Sequence, residues 1–142
     1  MSIRKTFVLF AAAAAAATLA WAHHGSAVSY DLAQRITVKG TITDFKYINP
    51  HPALFWDVKD AAGKVTHWSG EIAPNTAQLQ QEGWGRKRSA AALAPGTAVT
   101  ITLSPSRAGE PVGLVQKIEN ADGEAILGQI GLGAPPASPP KQ

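Results

Sequence analysis

The stretch ALFWDVKDAAGKVTHWSGEI, residues 53–72, reads as a β-hairpin. From Ala53 to Asp60 apolar and polar residues alternate, placing Leu54, Trp56 and Val58 on one side of a strand. Asp60-Ala61-Ala62-Gly63-Lys64 supplies a short loop with glycine where a left-handed residue is often needed, and Val65 to Ile72 returns as the partner strand. Upstream, Arg35 to Ile42 alternates in the same way, with Ile36, Val38 and Ile42 opposite Thr37, Lys39 and Thr41. Phe45 follows Ile42 by three residues, so the phase slips; with Gly40 nearby, a bulge is expected to bend a long first strand. Between these strands lies Asn49-Pro50-His51-Pro52, where each proline fixes its own φ and pushes the preceding residue toward extended geometry, so His51 stands on stiff backbone.

Downstream, Pro74 and Asn75 open a segment of high helix propensity, Thr76 to Glu82, which Gly83 stops. Trp84 is expected to plug one end of the core, and Ala90 to Ala94 to add a helical turn before the tight turn at Pro95-Gly96. Thr97 to Leu103 and Val112 to Ile118 read as the last two strands, closed by a turn at Asn120-Ala121-Asp122-Gly123. The fold class is therefore all-β with one short helix. The order β-β-β-α-β-β is that of a five-stranded OB-like Greek-key barrel, with a small open β-sandwich as the alternative.

Four regions follow. Residues 1–22 read as a signal peptide: Arg4 and Lys5, an apolar run from Phe7 to Ala20, and the small-x-small site Ala20-Trp21-Ala22. That run, about 14 residues, falls short of the roughly 20 that span a bilayer, so no stable membrane anchor is expected after cleavage. Residues 23–34 form an extended amino-terminal arm, residues 35–127 the barrel domain, and residues 128–142 a disordered tail rich in proline and glycine. Without Arg4 and Lys5 the exported chain carries 11 basic and 10 acidic residues, too even a balance for a nucleic-acid or membrane-surface role. Arg86-Lys87-Arg88 is its one dense basic run and reads as a solvated turn. There is no cysteine, and Met1 is the one methionine, so the exported chain has no sulfur and no soft-metal site.

The chain resembles a family of small secreted bacterial proteins classed as a domain of unknown function. The resemblance rests on His23-His24 after the signal, Gly40-Thr41-Ile42, Asn49-Pro50-His51, His67-Trp68-Ser69, Pro74-Asn75 with Leu79 and Gly83-Trp84, Pro95-Gly96, and Arg107-Ala108-Gly109. Gly25 departs from the usual His-His-Ser run. The resemblance implies export and a compact β domain, and supplies no catalytic residues.

Chemistry must then come from the four histidines, His23, His24, His51 and His67. If cleavage follows Ala22, the α-amine and imidazole of His23 can chelate one metal in a small ring, and His51 is the candidate for a further imidazole. Such a three-nitrogen site, called a histidine brace, suits Cu(II). Binding must displace protons from imidazoles (about 6.5) and an α-amine (about 8), so it weakens toward pH 5. Cleavage after Trp21 would instead give Ala22-His23-His24, which binds Cu(II) or Ni(II) through amine, backbone amides and imidazole without His51. The plainer reading makes the pair a solvated arm and His51 a hydrogen-bonded loop residue. His67 shares a strand face with Val65 and Ser69, where a cross-strand polar contact suffices, although it could act as a third imidazole. Trp56 and Trp84 suit the core, leaving Trp68 as the candidate for ligand binding.

No two of Asp57, Asp60 and Glu71 are spaced as a general acid and base, and Ser69-Gly70 lacks a nucleophile elbow. The expected function is non-enzymatic: a periplasmic or secreted protein that binds copper for metal handling, with the metal ion and another envelope protein as partners. The alternative is a cell-envelope binding module for a small ligand or protein without metal. Copper-dependent oxidation is a third option for which the sequence supplies no substrate surface.

Overall fold

The computed structural model describes residues 28–127. The signal peptide, His23, His24 and the tail at 128–142 lie outside the described residues. Eight elements follow in order: β1 (Ile36–Lys46), β2 (Ala53–Lys59), β3 (Val65–Ile72), α1 (Thr76–Gln81), α2 (Arg86–Ala92), β4 (Ala98–Pro105), β5 (Val112–Glu119) and β6 (Ala125–Ile126). No helix among the described residues is long and apolar enough to cross a membrane.

β1 does two jobs because it bends. Its first half, Ile36 to Thr41, pairs antiparallel with β4, and its second half, Thr41 to Lys46, pairs with β2. The register slips between Ile42 and Asp44, the bulge that the phase change at Phe45 predicts. β2 and β3 form the expected hairpin, with Trp56 opposite Trp68, and the Asp60 carboxylate caps its loop by accepting from the amides of Ala62 and Lys64. β5 pairs antiparallel with β4 and parallel with β3, Ser69 to Ile72 against Val112 to Val115. The circuit β1-β2-β3-β5-β4-β1 is thus a closed five-stranded barrel, which excludes the open sandwich.

The interior is mainly apolar. Leu54, Trp56, Ile101, Leu103, Val115 and Ile118 have no exposed surface. The expected plug is filled differently from the sequence reading: Leu79 of α1 and Leu93 after α2 are fully buried, whereas Trp84 is half-buried against the core. α1 starts at a capping box, in which the Asn75 side chain accepts from the Gln78 amide and the Gln78 side chain accepts from the Asn75 amide. A second short helix, α2, joins it over the run read as a turn, because Arg, Lys and Ala are all good helix formers.

The described end of the arm is tied to the barrel. Tyr30 bridges Ser106, the Asp31 amide donates to the Pro105 carbonyl at 2.8 Å, and the Arg107 amide donates to the Ser29 carbonyl at 3.0 Å. Burial, and after it the Glu71 carboxylate, pushes the Tyr30 hydroxyl above its ordinary value of 10.0. Since the folded-state value is the higher, the unfolded chain loses its proton first, so the stability Tyr30 contributes is complete below pH 10 and declines above it. Tyr30→Phe is expected to flatten that alkaline decline, read as the denaturant midpoint at a series of pH values; an unchanged slope would show that another group causes it.

Candidate functional site

The loop between β1 and β2 is held from three sides. The Tyr47 hydroxyl donates to the carbonyls of Thr76 and Trp84 at 3.1 and 3.2 Å. The Thr76 hydroxyl donates to the Asn49 side chain, and the Thr76 amide to the Pro50 carbonyl at 3.0 Å. The Ile72 amide donates to the Pro52 carbonyl at 2.9 Å. The Asn49–Pro50 peptide is cis.

In this frame His51 is half-buried, and its Nδ1 lies 3.0 Å from the Ile72 carbonyl oxygen. A carbonyl can only accept, so Nδ1 carries the hydrogen and the neutral imidazole keeps its lone pair on Nε2. A ring held by one nitrogen on a backbone carbonyl, with the other nitrogen basic, is how ligating histidines are oriented. The same bond also satisfies the plainer expectation of a hydrogen-bonded loop residue.

His67 sits elsewhere. Its Nδ1 is 2.6 Å from the Asp57 carboxylate directly across the hairpin, the cross-strand polar contact expected for it, and its side chain is 83% exposed. Glu71 faces Ala53, next to the loop, and His67 precedes Glu71 by four residues, about 13 Å along an extended strand. His51 and His67 are therefore not brought together. Among the described residues no three histidine, aspartate or glutamate side chains are grouped to hold a metal.

Trp68, the candidate for ligand binding, stacks on Trp56 with ring centroids 5.9 Å apart and packs half-buried against the core. The opposite face of the hairpin presents Phe55 instead, with Lys46 Nζ 5.1 Å above its ring. The alternation of residues 53–59 carried that signal, since Phe55 is out of phase with Leu54 and Trp56. A second feature has no local sequence signal. A cleft of about 430 Å³ opens between the arm and the β4–β5 loop, lined by Val28, Tyr30, Ser106, Arg107, Glu110 and Val112. Its walls are some 80 residues apart in the chain, and its loop holds the Arg107-Ala108-Gly109 run that carries the family resemblance.

The model of a family of unknown function, DUF6152, matches residues 11–117. The chain belongs to the DUF6152 family. No curated protein and no solved structure gives a match. The DUF6152 match takes in part of the apolar run, His23-His24, the Asn-Pro-His-Pro loop and the barrel strands up to Lys117. The resemblance to a domain of unknown function is borne out, and it assigns no activity.

Proposed function

We propose that the protein is exported and binds Cu(II) through His23 and His24 at its mature amino terminus, with His51 as the barrel's ligand, for metal handling in the periplasm. One observation carries this: the Nδ1 bond of His51 to the Ile72 carbonyl, which leaves Nε2 as the lone-pair nitrogen on a loop with little freedom. The arm's anchor supports it. The Tyr30 hydroxyl is within electrostatic range of Glu71, the neighbour of the residue that holds His51. Tyr30 follows His23 by seven positions, a reach of up to about 24 Å when extended.

The test is a Cu(II) titration followed by electron paramagnetic resonance, on protein exported to the periplasm with its amino terminus established by intact mass. One tightly bound copper with an axial nitrogen spectrum is expected. His51→Ala is expected to weaken binding tenfold or more, about 1.4 kcal/mol or above, and His67→Ala to leave it unchanged. Unaltered affinity in His51→Ala removes His51 and leaves the Ala22-His23-His24 type of site. Weak, heterogeneous binding in the unaltered protein removes the copper reading.

The cleft beside Tyr30 favours a second reading, a metal-independent envelope module for a small ligand. On that reading ligand shifts tryptophan fluorescence equally with and without a chelator.

A further inference from the structure

The first turn of α2 places three cations, Arg86, Lys87 and Arg88, on the surface, where none of them meets a carboxylate among the described residues. Two of them are held in place. The Arg88 guanidinium lies 3.8 Å from the centroid of the Trp84 ring, and its Nη1 donates to the Gly83 carbonyl at 3.3 Å. The Arg86 guanidinium lies 5.2 Å from the centroid of the Tyr47 ring. The Tyr47 ring is held through its hydroxyl, and the Trp84 ring packs half-buried against the core on a backbone that is itself held. The Trp84 carbonyl accepts from the Tyr47 hydroxyl and from Ser89 Oγ, and the Trp84 amide donates to the Leu79 carbonyl at 2.8 Å. Two arginines and two aromatic rings thus make a rigid shelf.

The rings and the Gly83 carbonyl hold the two arginines, but no carboxylate among the described residues balances their charge. Positive charge is disfavoured in the first turn of a helix, and this turn contains no acidic residue. None of the three cations forms an ion pair with a carboxylate among the described residues. Like charges gathered without a counter-charge break a local rule, and such breaks concentrate at functional sites. A ring beneath a guanidinium takes up none of its N–H donors, so Arg86 keeps its fork, and Arg88, whose Nη1 donates to the Gly83 carbonyl, keeps its remaining donors for a carboxylate.

We propose that this shelf docks an acidic segment of a partner protein, with carboxylates paired to Arg86 and Arg88. A protein is favoured over nucleic acid or lipid because the exported chain is nearly neutral and three cations make no extended basic stripe. None of these residues is a copper ligand, so the docking stands or falls separately from the metal site.

The probe is a fluorescent peptide of ten glutamates, titrated into the exported full chain at about 0.05 M salt, where screening is weak. Saturable binding is expected, with NMR shift changes confined to Tyr47, Trp84 and α2. R86Q/R88Q is expected to weaken it tenfold or more, whereas K59Q/K64Q, which removes the same charge from the hairpin loop, changes it less than twofold. R86K/R88K keeps charge and helix propensity, and is expected to lose several-fold in affinity because lysine lacks the fork. Equal weakening by R86Q/R88Q and K59Q/K64Q, full affinity in R86K/R88K, or absence of saturable binding each overturns the proposal. So does tighter binding to phosphatidylglycerol vesicles or a single-stranded oligonucleotide than to the peptide.

Discussion

Trp56→Ala is expected to lower the unfolding free energy by about 3–5 kcal/mol, the range for truncating a large buried aromatic side chain. Trp56 has no exposed surface, stacks on Trp68, and lies between glycines on both neighbouring strands. A Cβ at Gly40 would come within 2.8 Å of its Cδ1, and one at Gly70 within 3.3 Å of its Cη2. The glycines leave room for the indole and cannot refill the space once it is gone, so the cavity stays open. Since domains of this size hold roughly 5–15 kcal/mol in total, the variant should sit near the edge of folding. Urea unfolding followed by far-ultraviolet circular dichroism checks this. A loss below about 1 kcal/mol would mean that the strands collapse onto the void.

Gly70→Ala is expected to be about as damaging, for the opposite reason. The new Cβ would stand 2.5 Å from the Gly113 carbonyl oxygen and 2.9 Å from a Val115 methyl. The carbonyl belongs to backbone fixed by the parallel β3–β5 pairing and has nowhere to go. Relief requires the two strands to part where the barrel closes, so the cost falls at or beyond the top of the usual overpacking range, about 3 kcal/mol. Thermal unfolding gives the loss, and amide hydrogen exchange locates it. Protection should fall first at Ser69 to Ile72 and Val112 to Val115. Wild-type protection there in the variant would show that the strain is absorbed elsewhere.

The barrel was legible because its strands alternate. The phase of Leu54, Trp56 and Val58 located the core face, the slip at Phe45 located the bulge, and the element order pointed to the closed circuit. The parallel closure itself has no local signature, so an open sandwich fitted the same pattern until β3 was seen beside β5. Only the second half of α2 was legible, as the helical turn at Ala90; its start was hidden because charge at Arg86 to Arg88 suggested a solvated turn, although the same residues favour helix. At the candidate site, the prolines around His51 pointed to stiff backbone, but nothing local could identify the Ile72 carbonyl as the partner of its ring. Trp68 shows the limit of composition: an aromatic residue on a barrel strand fits a core or a ligand, and only the register put it against Trp56. His67 needed the hairpin register in the same way, because Asp57 becomes its neighbour only when the strands pair.

The closure of β3 against β5 also has a kinetic side. β1, β2 and β3 are contiguous in the chain and can pair early, whereas Ser69 and Val112 are separated by about forty residues that include both helices and β4. Contacts between residues so far apart raise the entropic barrier to folding and slow it. Until Val112 to Val115 pair, the edge of β3 from Ser69 to Ile72 stays open, and Leu54, Trp56 and Ile72 lack the part of their cover that Val115 and Ile118 supply.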